Sequence, residues 1–145
     1  MRKRTKALLI AAVASVVSCS GYFMAGYDPQ VDSGATQLHQ KVDQFLTDLE
    51  RTAGTPAGEY EHNQAAYREL RSELDALRDL AGSQRGNGLT VQSLDLIGNN
   101  LDKLEAMHAD GISAKEIGIV RTLFDSQFRM LVQLENAKKA KGGLS

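Results

Sequence analysis

Four stretches of the chain repeat apolar residues at alternating steps of three and four, the spacing that gathers them on one face of an α-helix. Val31, Ala35, Leu38, Val42, Phe45 and Leu49, widened by Leu46, predict a first helix over 29–53. Asp28-Pro29 reads as its cap and first residue, and Gly54-Thr55-Pro56 as its stop. Tyr60, Tyr67, Leu70, Leu74, Leu77 and Ala81 predict a second over 57–81. On its polar face, Arg71 and Asp75 stand at the i,i+4 spacing of an attractive pair.

Three glycines in 82–88 break the pattern. Val91, Leu94, Ile97, Leu101 and Leu104 then predict a third helix over 90–108, with Thr90 as its cap. Gly98 inside it implies a close helix–helix approach, with a ligand-facing gap as the alternative. The fourth helix, over 113–141, opens on a capping box: Ser113 caps, Glu116 bonds back, and Ile112 and Ile117 form the hydrophobic staple. Its stripe is Ile117, Val120, Phe124, Phe128, Leu131 and Leu134. No strand-like alternation is found. Four amphipathic helices with short connections predict an all-α, up-down-up-down four-helix bundle over 28–142, followed by a tail, 143–145.

Ahead of these stretches, Arg2, Lys3, Arg4 and Lys6 precede an apolar run over 7–17. About eleven apolar residues are too few to span a ~30 Å hydrocarbon core, and a basic start before a short apolar run is the anatomy of a secretory signal. Val16-Val17-Ser18-Cys19 at its end resembles the lipobox of bacterial lipoproteins, a resemblance confined to residues 1–19. It implies acylation of Cys19, removal of 1–18, and a short tether over 19–27. Ser20, where Asp would signal retention at the inner membrane, leans the implied location toward the outer membrane, facing the periplasm.

Cys19 is the chain's one cysteine, so no intrachain disulfide is expected. The 17 basic residues include the four that the leader would carry away; 13 then remain against 18 acidic, a formal charge of −5. That balance argues against nucleic acid as a partner.

No nucleophile elbow, phosphate-binding loop or haem-attachment cysteine pair is found, so the chain reads as a non-enzyme without a cofactor other than the covalent lipid. Two Glu-x-x-His segments, Glu59 to His62 and Glu105 to His108, match half of a di-metal carboxylate motif. Glu50 and Glu116 could supply the missing carboxylates, but Glu116 already serves the capping box. These four residues are therefore metal candidates only, and His39 shares no ligand spacing with them.

The function expected is that of an envelope-tethered helical interaction module whose partner is another envelope protein or a second copy. A metal- or ligand-binding bundle and an inhibitor or immunity-type lipoprotein are the alternatives. An antiparallel bundle brings the end of the fourth helix beside the tether. Tyr22, Phe23, Met24, Tyr27, Lys138, Lys139 and Lys141 are therefore the candidate membrane-proximal contacts, since lysines near anionic headgroups are each favourable by about 1 kcal/mol.

Overall fold

The computed structural model of the chain describes residues 25–142. The predicted leader, Cys19, Tyr22, Phe23, Met24 and the tail 143–145 lie outside the described residues.

Four helices follow one another: α1 (Pro29–Thr52), α2 (Tyr60–Gly82), α3 (Gly88–Asp110) and α4 (Ala114–Gly142). α1 packs most extensively on α4 and α2 on α3, while α1 with α2 and α3 with α4 complete the ring. Diagonally opposed helices do not come into backbone contact. This is the expected all-α four-helix bundle with antiparallel neighbours.

The stripes meet in one core of Leu, Ile, Val and Ala with three large rings, Tyr67, Phe124 and Phe128. The predicted starts hold where the cap is chemical. Asp28 accepts the Gln30 N–H at 2.7 Å ahead of Pro29. At α4 the Ser113 N–H donates to Glu116 Oε2 at 2.8 Å, and the Glu116 N–H to Ser113 Oγ at 3.3 Å. Both halves of the capping box are made, and they hold the Glu116 carboxyl below its ordinary pKa.

Four expectations are corrected. The second helix begins at Tyr60 rather than 57, because Pro56–Gly58 form a separate 3-10 turn. Gly58 lies so close to Thr52 that a Cβ there would come within 2.2 Å of the Thr52 carbonyl oxygen. Asn63 then fastens this turn by donating to the carbonyls of Ala57 and Glu59. The third helix begins two residues before Thr90, which is no cap but a fully buried side chain.

On α4 the buried positions continue past Phe128 and Leu131 to Glu135 and Lys138, leaving Leu134 only half-buried. Arg71, finally, turns from Asp75 to α3, where it bonds Asp102 and, at 2.7 Å, Glu105. Two carboxylates across the seam hold a guanidinium fork better than one along its own helix. Gly98 proves to be a close approach, with a Cβ there falling 3.1 Å from Leu74 Cδ2.

Candidate functional site

The bundle has two chemically different ends. At the end formed by the α1–α2 and α3–α4 connections, His108 is buried at the foot of α3. Its Nε2 lies 2.8 Å from the Gly58 carbonyl and its Nδ1 lies 3.0 Å from the Tyr67 hydroxyl. A carbonyl only accepts, so Nε2 carries the proton, and Nδ1 accepts from the phenol. Burial, followed by the charge of Glu105, pushes the Tyr67 phenol well above its ordinary pKa, which keeps it a donor.

The Tyr60 ring stands edge-on to His108 at 5.8 Å, and its hydroxyl donates to Glu105 Oε1 at 3.0 Å. Both Glu105 oxygens are thus engaged, one by Tyr60 and one by Arg71. Glu59 and His62 are exposed at the start of α2. The two Glu-x-x-His segments are therefore not joined in one ligand set. Glu50 pairs with Arg121 and Glu116 with Ser113. Among the described residues no three His, Cys, Asp or Glu side chains form a metal-ligand group. The open cleft at this end, about 520 Å³, is lined by residues of the two connections and the adjoining helix ends, including Glu59, Glu61, Asp110 and Ser113.

His39, also half-exposed, belongs to a different feature. It stacks on Phe128 at 4.8 Å and meets Asp125 at 2.8 Å, tying α1 to α4.

At the opposite end the chain enters the bundle beside the α2–α3 loop and the close of α4. The Ala25 N–H donates to the Gly86 carbonyl at 3.2 Å, Gln84 bonds the Asp28 carboxylate, and the Tyr27 hydroxyl donates to Asp32 at 2.7 Å. The last residues of the expected tether are thus docked on the bundle. Lys139 Nζ stands 5.3 Å above the Tyr27 ring, a cation–π contact, and Lys141 is exposed one step further along.

Lys138 departs from expectation. It is 3 % exposed and points into the bundle, so it is not available to a bilayer. Its ammonium donates to Glu135 Oε1 at 2.7 Å, to Thr90 Oγ1 at 2.7 Å, and to Asn87 Oδ1. The Thr90 hydroxyl in turn donates to Glu135 Oε1 at 2.7 Å, while Glu135 Oε2 has no partner among the described residues. All three ammonium protons are satisfied. Heptad spacing from Phe128 and Leu131 is the signal that could have found this cluster, had residue polarity been disregarded.

No helix among the described residues is long and apolar enough to cross a membrane. No protein family matches the chain, and neither does any curated protein or solved structure.

Proposed function

We propose that this chain is a lipoprotein of the bacterial envelope, held at the outer membrane on its periplasmic side, whose four-helix bundle acts as a tethered protein-interaction module rather than as an enzyme. The observation that carries the reading is the basic, apolar and Val16-Val17-Ser18-Cys19 sequence of the first nineteen residues. Two or three acyl chains on one terminus give stable anchoring where a single chain is marginal.

The bundle's geometry supports an orientation. Ala25, Arg85 in the α2–α3 loop, Lys139 and Lys141 belong to the end at which the tether enters. Basic residues there favour an anionic surface, screened within a Debye length of about 8–10 Å. The cleft between the other two connections then faces away from the membrane. With Tyr27 held to Asp32 and under Lys139, the chain between Cys19 and Ala25 is a spacer of at most about 20 Å.

The anchor is tested by Cys19→Ala. The variant is expected to leave the membrane fraction and to lose incorporated radiolabelled fatty acid; equal pelleting of both proteins with no label on either refutes the reading. Orientation is tested with fluorophores at positions 141 and 55. The first is expected to respond to anionic lipid and the second not, and equal responses refute the upright bundle.

A further inference from the structure

Three of the four seams between neighbouring helices carry charge across their surface. Lys41 joins α1 to Glu69 and Glu73 on α2. Arg71 and Arg78 join α2 to Asp102, Glu105 and Asp95 on α3. Arg121 joins α4 to Asp43 and Glu50 on α1, beside the His39–Asp125 pair. Across the α3–α4 seam no surface ion pair is found among the described residues.

In their place stand exposed apolar side chains: Leu89, Leu96 and Met107 on α3, and Ile119, Leu123 and Met130 on α4. They are all the large apolar side chains exposed among the described residues, and all lie on these two helices. Leu96 is 58 % exposed and Met130 68 %. The positions between them on this face are Ser, Asn, Gln and Thr with Lys103 the one charge, and Lys115 and Glu116 flank Ile119 at its end. A face this apolar and this poor in charge, in a chain of which 24 % is charged, marks an interaction surface.

We infer that this face binds a second copy of the same chain, with the twofold axis parallel to the bundle. A twofold interface must be complementary to itself. A face of one charge sign would repel its copy, whereas a neutral, apolar one does not. The area suffices. Two helices of 23 residues or more, at 1.5 Å per residue and with axes about 10 Å apart, present roughly 35 Å by 20 Å, on the order of 700 Å². Stable interfaces bury roughly 600–1,000 Å² per partner.

The register gives the axis. Thr90 meets Glu135 and Lys138 meets Asn87, so Leu96 is level with Met130 and Met107 with Ile119. A twofold parallel to the bundle keeps every level and lays α3 over the partner's α4. Leu96 then meets the partner's Met130, and Met107 the partner's Ile119. A perpendicular axis would turn one Cys19 end away from the membrane. This choice of axis rests on the anchored reading above; the choice of face does not.

The test uses the processed full-length protein purified in detergent. Light scattering is expected to give a protein mass of two chains. Leu96→Glu with Met130→Glu is expected to halve it with an unchanged circular dichroism spectrum, both sites being exposed. Separately, Leu96→Cys chains mixed with Met130→Cys chains are expected to form disulfide-linked pairs. A single-chain mass for the wild type, a dimer untouched by the two glutamates, or Leu96→Cys linking only to itself each overturns the inference. Wild type with a thiol reagent is the control. Labelling of Cys19 would refute the acyl anchor, and the light-scattering arm, which uses no thiol, would still judge the dimer.

Discussion

Replacing Lys138 by Met asks what the buried cluster contributes. Lys138 and Glu135 are 3 % and 1 % exposed, and the ammonium is the one cation bonded to that carboxylate among the described residues. Lys138→Met leaves Glu135 with a hydrogen bond from Thr90 alone, since its other oxygen already lacks a partner. An uncompensated buried charge of this kind costs about 3–5 kcal/mol. Glu135→Leu is expected at the lower end of that range, because Lys138 keeps Asn87 and Thr90 as acceptors.

The double variant removes both charges. It leaves the Asn87 side-chain oxygen and the buried Thr90 hydroxyl without these partners, at about 1–3 kcal/mol each. It also buries two apolar side chains, each favourable by about 1.5–3 kcal/mol. The double variant is therefore expected within about 2 kcal/mol of wild type and to be milder than Lys138→Met alone. Urea unfolding followed by circular dichroism, run as a double-mutant cycle, measures this directly. Losses that simply add, or a Lys138→Met loss below about 1 kcal/mol, would mean that the cluster is hydrated and that burial does not set its energetics.

Two further outcomes follow from the other end of the bundle and from the α4 cap. His108→Ala is expected to destabilise by about 2–4 kcal/mol, through a cavity and the loss of partners for Tyr67 and Gly58. His62→Ala, at an exposed site, is expected to change stability by less than about 0.5 kcal/mol, and a metal bound stoichiometrically and lost in both variants would contradict the structural role assigned to His108. Because the capping box lowers the Glu116 carboxyl from its ordinary pKa, its contribution is present above the unfolded value and is lost as pH falls through the folded one. Thermal melts should therefore separate wild type from Glu116→Ala near neutral pH and draw together as the pH falls below the ordinary glutamate range; a gap that does not narrow would exclude the ionised carboxylate as its source.

The helices were legible because each stripe repeats over several turns, and the Asp28 and Ser113 caps because their partners lie two or three residues away. What was not legible depends on partners far along the chain. His108 beside Glu105 resembles half of a metal motif, yet its ring nitrogens are taken by Tyr67 and Gly58, 41 and 50 residues distant. Arg71 has a carboxylate at i+4 and uses two others that a local window does not contain. Thr90 carries a capping hydroxyl, and its bond is to Glu135, 45 residues away. On α4 the spacing alone pointed to 135 and 138, but residue type overrode it in favour of Leu134. The face formed by Leu96, Met107, Ile119 and Met130 was missed because a helix with two apolar sides yields one stripe when read for its best one.

The distribution of charge bears on handedness as well as on partners. An up-down-up-down ring can turn either way with the same nearest neighbours, so core burial alone separates the two poorly. The flanking charges discriminate because each sits on one side of its helix. Arg121 and Asp125 stand on the side of α4 that meets α1, and Gly98 and Glu105 on the side of α3 that meets α2. A ring of opposite hand would part Arg121 from Asp43 and Glu50, and Glu105 from Tyr60 and Arg71, and would turn the side of α3 that carries Leu96 and Met107 toward α2. Each exposed pair contributes only about 0–1 kcal/mol. Their joint loss adds to the preference for the observed ring. Ordered pairs on three seams also fix the position of the remaining two helices, so the fourth seam needs none. The α3–α4 face is thereby free to be apolar without loss of a unique fold, which is the condition for it to serve as an interface.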